Sequence, residues 1–162
     1  MRNTCLVLCL LFMAASALAQ GKANVQWKCD KPSDQHSLPV GDKFGHAYGI
    51  EHLHCTAIKG EIAGSKIKSG TGTEFLDIQG DEITGYGEFV ESMENGDKNL
   101  YRYEFSVTTK DGAFQSGSTN WSLIDGGGRM KGGKASVTCK AMGNPDQSIS
   151  FDCTGEYAPA TT

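Results

Sequence analysis

A two-residue alternation of apolar and polar side chains recurs along this chain and limits its fold more than any other feature. It is clearest in Asn99–Thr109, where every second residue is large and apolar and the residues between are polar or charged. The apolar set is Tyr101, Tyr103, Phe105 and Val107. This period is typical of a β-strand with one buried and one solvated face. Because helical periodicity is almost absent elsewhere, the sequence predicts an all-β protein.

Eight segments carry the strand pattern, and short turn sequences separate several of them. The predicted strands are Ala23–Cys29, Ala47–Ile58, Thr73–Ile78, Glu82–Ser92, Asn99–Thr109, Ala113–Ile124, Lys134–Ala141 and Ile149–Tyr157. The pairs Asn95-Gly96 and Asp111-Gly112 favour tight hairpins. We therefore expect a four-stranded meander over residues 73–124, followed by a terminal hairpin. An antiparallel closed barrel of about eight strands is the predicted architecture, and a two-sheet β-sandwich is the alternative.

Glycine makes up 21 of the 162 residues, about twice its ordinary share. Gly85, Gly87 and Gly117 lie inside predicted strands and indicate bends where a sheet curls tightly. The glycine-rich run over residues 125–133 predicts a loop. It does not match a phosphate-binding loop, because the Lys-Ser/Thr pair and the following helix are missing.

The first residues have the features of an export signal. Arg2 precedes the apolar run Leu6–Met13, and Ala17-Leu18-Ala19 has the small-x-small pattern of a cleavage site. The apolar run is too short to span a bilayer. We expect a signal peptide over residues 1–19, one domain over 20–157 and a flexible tail over 158–162. The protein is then secreted or periplasmic, and Gln20 stands where a lipoprotein would need cysteine.

Four cysteines follow the predicted cleavage site, and in an oxidising compartment they indicate two disulfides. Cys139 and Cys153 lie seven residues on either side of Asp146, the middle of a turn-forming segment, so a hairpin places them opposite each other. By elimination, Cys29 pairs with Cys55 across a predicted loop at residues 30–45. Zinc is not expected, because the chain has no C-x2-C knuckle.

The charge balance limits the partners. The chain has 19 acidic residues against 15 Lys and Arg, and a formal net charge of −4. Mild acidity without a basic run argues against nucleic acid or an anionic membrane surface as a partner. No cofactor is expected, and the oligomeric state is left open.

Several short segments carry a family resemblance. They are Lys68–Glu74, Gly85–Gly87, Asn95–Lys98, Trp121 and Asp152–Tyr157. With them the chain resembles small exported bacterial proteins of undefined function whose barrel is that of allene oxide cyclase, akin to the calycins and the dirigent proteins. The glycine-rich loop of that family has a threonine that residues 126–132 lack. The resemblance implies a fold and no chemistry, since related barrels include cyclases, stereochemical guides and binders.

Candidate site residues come from the histidines, the strand carboxylates and the aromatic side chains. His52 and His54 share one strand face, close enough to share a metal, although a solvated histidine face is the simpler interpretation and no metal site is predicted. The carboxylates considered are Glu82, Glu88, Glu91 and Glu104. The residues predicted to line a ligand site are Tyr48, His52, His54, Tyr86, Glu88, Tyr101, Tyr103 and Trp121. No catalytic residue is assigned.

These features favour an exported, disulfide-stabilised barrel that binds a small apolar or amphipathic ligand without catalysis. Two alternatives remain open. One is an isomerase or cyclase that uses a cavity Glu or His; apolar surroundings would raise the pKa of such a Glu. The other is a structural or protein-interacting barrel whose interior is filled by its own side chains.

The export signal can be tested by intact-mass analysis of protein recovered from its own export route. We expect a chain that begins at Gln20 and weighs less than the fully reduced chain by the four hydrogens lost in two disulfides. A recovered protein that still begins at Met1 would contradict the signal peptide.

Overall fold

Ten antiparallel strands and one turn of 3₁₀ helix make up the computed structural model, which describes residues 20–160. The strands are β1 (Gly21–Cys29), β2 (Ser33–Pro39), β3 (His46–Lys59), β4 (Glu61–Ile62), β5 (Ser65–Gln79), β6 (Glu82–Met93), β7 (Lys98–Lys110), β8 (Ala113–Gly126), β9 (Lys134–Gly143) and β10 (Ile149–Ala158). The 3₁₀ turn at Gly128–Met130 lies between β8 and β9. No helix in this part of the chain is long and apolar enough to cross a membrane.

Eight of the strands close into a barrel. From β5 to β10, strands that follow one another in sequence are hydrogen-bonded neighbours. β10 then pairs with β1, and β3 pairs with β1 on one side and with β5 on the other. The other two strands lie outside the barrel. β2 pairs with β3 beyond the end of the β1 pairing, and the two-residue β4 pairs with the start of β5. The closed antiparallel barrel predicted from the sequence is confirmed.

Aromatic rings fill the middle of the barrel. Phe89 lies between Trp27 and Trp121, with ring centroids 5.3 and 4.9 Å away. Tyr103 stacks on Trp121 at 4.4 Å. A side chain at Gly70 on β5 would collide with the ring of Phe89. The ring of Phe89 therefore lies over the neighbouring strand β5, which carries no Cβ at this position.

The eight predicted strands are all present, and the structure adds β2 and β4. β5 begins at Ser65 rather than at Thr73, because the Ser- and Gly-containing segment before Thr73 continues the strand beside Phe89. The predicted loop at residues 30–45 contains β2. Its side chains are almost all exposed, so the alternation that marks a half-buried strand is missing there.

The two predicted disulfides are confirmed. Cys29 bonds to Cys55 and Cys139 bonds to Cys153. Each pair lies directly opposite in the register of neighbouring strands, β1 with β3 and β9 with β10. Two disulfides indicate an oxidising, non-cytoplasmic location. The predicted signal peptide, residues 1–19, lies outside the described residues, as do residues 161–162 of the predicted tail.

The two ends of the barrel differ. At one end, the loop between β8 and β9 folds inward and buries Met130 against the core. Asn99 and Glu91 are buried at the same end and share a hydrogen bond of 2.8 Å. At the opposite end, the turns after β1, β7 and β9 surround an opening. A ligand can therefore reach the interior from that end.

Replacing each cysteine pair by alanines should lower the free energy of unfolding by about 2–5 kcal/mol. The Cys29–Cys55 bond spans 26 residues and the Cys139–Cys153 bond spans 14, so losing the former should cost about 0.5 kcal/mol more from loop entropy alone. Urea unfolding followed by circular dichroism measures both. A larger loss of unfolding free energy on removing Cys139–Cys153 would show that loop entropy does not determine which disulfide stabilises the fold more.

Candidate functional site: the cavity at the open end of the barrel

A cavity of about 710 Å³ occupies the open end of the barrel, beyond the aromatic cluster. Its lining combines apolar and polar side chains, and the apolar ones come from six strands. The apolar lining includes Leu53, Leu76, Ile83, Phe105, Val107, Phe114, Ile149 and Phe151. The volume lies within the range of about 300–1,000 Å³ that is usual for small-molecule sites.

Two carboxyl groups lie next to each other in the wall of this cavity, away from its rim. Glu51 on β3 and Glu74 on β5 are directly opposite in the strand register and line the same cavity. Glu74 is only 8% exposed, and its Oε1 accepts a hydrogen bond of 2.7 Å from the hydroxyl of Tyr103. Oε2 of Glu51 accepts a hydrogen bond of 2.6 Å from Nε2 of Gln35 on β2. We refer to Glu51 and Glu74 as the carboxyl pair.

Burial dominates the electrostatics of the pair. The pKa of Glu74 is raised to about 8: desolvation raises it most, the neighbouring Glu51 also raises it, and the hydrogen bond from Tyr103 lowers it. Desolvation and Glu74 together hold the pKa of Tyr103 well above its usual value, so its hydroxyl remains a donor. A carboxyl with this pKa is largely protonated near neutral pH, so Glu74 holds its proton there.

The rim of the cavity is polar. Lys31 and Asp111 are exposed on two different loops at the opening. The turn between β9 and β10 is held by hydrogen bonds from Nδ2 of Asn144 to the hydroxyls of Ser148 and Ser150, at 3.0 and 2.9 Å. These hydrogen bonds fix the conformation of the β9–β10 turn, which forms one side of the opening.

Three of the eight residues predicted to line a ligand site lie in the interior. Tyr101, Tyr103 and Trp121 are at most 9% exposed and belong to the aromatic cluster. None of the three lines the cavity itself. Tyr103 nevertheless reaches the site, because its hydroxyl binds Glu74.

Three others lie on the outer wall, in a groove of about 920 Å³ across β3, β5, β6 and β7. Tyr48 and Tyr86 are more than half exposed there, and Tyr86 stacks on Phe75 with ring centroids 5.2 Å apart. Glu88 forms an ion pair of 2.7 Å with Arg102. The groove is larger than the cavity, but Glu88, Arg102 and Glu104 in its lining are exposed to solvent, so we take the cavity as the candidate site.

The two histidines lie on the same outer face, as their spacing predicts. The rings of His52 and His54 are 4.7 Å apart, and Nδ1 of His52 lies 3.1 Å from the hydroxyl oxygen of Thr73. Among residues 20–160, no three His, Cys, Asp or Glu side chains are grouped in a way that could hold a metal ion.

The sequence contains a signal for the carboxyl pair that strand alternation alone does not show. Cys55 must point inward if it forms a disulfide in the core, and counting back by twos along β3 places Leu53 and Glu51 on the same face. Gly70, Gly72 and Glu74 likewise alternate on the inner face of β5. His52 and His54, the residues of β3 considered from the sequence, lie on the opposite face of that strand.

Comparisons with known proteins describe the fold and no activity. No family model and no curated protein matches this chain. Two crystal structures of proteins of unknown function are similar to it, both at 11% identity over 85% of this chain. The protein from Rhodopseudomonas palustris is covered over 97% of its length with a TM-score of 0.55, and that from Clostridium acetobutylicum over 99% with 0.50. No family match supports the resemblance to allene oxide cyclase barrels.

A second buried carboxyl lies apart from the cavity, at the closed end. Burial raises the pKa of Glu91 from 4.5 to about 7, while hydrogen bonds from Asn99 and Tyr101 lower it. Because the folded pKa exceeds the unfolded one, the folded state binds more protons between these values. The resulting contribution of Glu91 to the free energy of unfolding is complete below pH 4.5 and is lost as the pH rises through about 7. The raised pKa of Glu74 likewise makes the free energy of unfolding fall as the pH rises.

Glu91→Gln should therefore reduce the fall in unfolding free energy between pH 4.5 and 7. Tyr101→Phe should steepen it, because the lost hydroxyl is a donor that lowers the pKa of Glu91. Urea unfolding at several pH values, followed by circular dichroism, gives both slopes. An unchanged decline in Glu91→Gln would show that this carboxyl is not the titrating group.

Proposed function

We propose that this protein is an exported binding protein that holds a small amphipathic ligand in the cavity at the open end of its barrel, without catalysis. The observation that carries the proposal is the cavity itself. Its walls include eight large apolar side chains, and the carboxyl pair is the charged group set deepest in it. An apolar enclosure with a few placed polar groups is the usual form of a small-molecule site.

The contrast between the two halves of the interior supports this proposal. The middle of the barrel is packed with aromatic rings, as expected of a core. The open end has comparable apolar side chains that surround space instead of filling it. A barrel with a purely structural role would gain stability by filling that space.

Export is part of the proposal. The predicted signal at residues 1–19 supports it, and so do the two disulfides, which persist in oxidising compartments. A secreted or periplasmic barrel would meet its ligand outside the cytoplasm.

One observation favours a catalytic alternative. A carboxyl whose pKa is raised to about 8 can hold and deliver a proton near neutral pH, which an isomerase or cyclase could use. Glu74 would then be the acid, held by the hydroxyl of Tyr103. Turnover of a cavity-bound ligand, lost in Glu74→Gln while binding is retained, would favour this alternative.

Ligand binding can be tested with decanol, decanoate and decylammonium, by calorimetric titration below their aggregation limits. Ile83→Trp should fill the cavity and weaken the binding of any of them by about tenfold or more, because Ile83 lines its wall. The matched control is Thr84→Trp, which places the same indole on the next residue of β6, facing the outer groove.

The two variants separate the two hollows. Loss of binding in Ile83→Trp alone supports the cavity. Loss in Thr84→Trp alone would assign binding to the outer groove and overturn the proposal. Failure of all three compounds to bind the wild-type protein would also overturn it.

A further inference from the structure

We infer that the ligand of this cavity is a cationic amphiphile, with an ammonium group held between Glu51 and Glu74 and an apolar body against the cavity wall. This inference rests on the proposed function and names the chemical class of the ligand. It follows from the geometry of the carboxyl pair and from the charges around it.

The carboxyl pair has acceptor capacity that the protein does not use. Oε1 of Glu74 is bound by Tyr103, and Oε2 of Glu51 is bound by Gln35. Within residues 20–160, these are the hydrogen bonds that amides and hydroxyls donate to the pair, so the other carboxyl oxygens are left to each other and to the cavity. Glu74 is more than nine-tenths buried, and both carboxyl groups line the cavity.

The pair also lacks a counter-ion. None of the ion pairs formed within residues 20–160 includes Glu51 or Glu74. The other charged residues that line the cavity are Lys31 and Asp111, both exposed at the rim, and their charges are opposite. The interior of the cavity therefore has a negative charge with no cation in contact with it.

An ammonium group matches this arrangement better than a hydroxyl or a carboxylate does. It brings one positive charge and three N–H donors, enough to bind both carboxyl groups at once. A hydroxyl brings one donor and no charge. A carboxylate would add a third negative group to the same site and would be repelled.

The wall above the pair determines the rest of the ligand. Phe105, Phe114 and Phe151 belong to it together with aliphatic side chains, so it favours an alkyl or aromatic body. A small inorganic cation would satisfy the carboxyl pair but would leave this wall exposed to water. An amphiphile would cover the carboxyl pair with its headgroup and the apolar wall with its body.

The titration of Glu74 gives the inference a pH signature. The groups that face it are Tyr103 from β7 and Gln35 from β2, with Lys31 and Asp111 at the rim. Protons compete with ammonium for the carboxyl oxygens. Acidification from pH 8 to 4.5 should therefore weaken ammonium binding and leave the binding of a neutral amphiphile nearly unchanged.

The experiment compares decylammonium, decanol and decanoate, which share one chain length and differ in headgroup charge. At neutral pH we expect decylammonium to bind the wild-type protein about tenfold or more tightly than decanol, with decanoate weakest. The double variant Glu51→Gln with Glu74→Gln should remove this preference, because amides keep the size and the acceptors but not the charge. Glu82→Gln with Glu104→Gln is the control: it removes two exposed outer carboxylates and should keep the preference.

The outcomes separate this inference from the proposed function. Binding that Ile83→Trp weakens, but that is equal for decylammonium and decanol, would overturn the cationic ligand and keep the cavity. A preference that survives in the double glutamine variant would also overturn it. If that variant does not fold, the wild-type comparison of the three headgroups and its pH dependence decide the question.

Discussion

The interior of this protein depends on the seam where β1 meets β3. That pairing covers only residues 26–29 of β1 and 55–59 of β3, before β3 continues alongside β2. The Cys29–Cys55 disulfide lies within it and ties the two strands covalently. Without the seam, the strands from β5 to β10 would form an open sheet with exposed edges. With it, one face of each of the eight barrel strands is enclosed.

Side-chain size then divides the enclosed space. Gly70 and Gly72 on β5 leave room for Phe89 and Tyr103, so the rings occupy the middle of the barrel. Farther along the same strand, Glu74 and Leu76 replace the glycines, and the space beyond them stays open. The cavity and its carboxyl pair thus result from one strand that changes from small to large inward residues. The hydroxyl of Tyr103 joins the two regions.

The sequence was sufficient for most of the fold, because alternation and turn residues are local signals. The Asn99–Thr109 strand and both disulfides could be predicted this way. β2 could not, since an exposed strand paired to one neighbour needs no alternation. The carboxyl pair could not be recognised either. Glu51 and Glu74 are 23 positions apart, and only the register of β3 with β5 brings them together.

The aromatic cluster also has an optical consequence. Trp27 and Trp121 are the two tryptophans of the chain, and both are buried in it. Trp121 stacks on Tyr103, whose hydroxyl holds Glu74, so one ring separates an indole from the charge in the cavity. The electric field at that indole changes whenever Glu74 gains or loses its proton. The protein therefore carries a native fluorophore next to its candidate site, and its emission needs no added label to follow the state of the cavity.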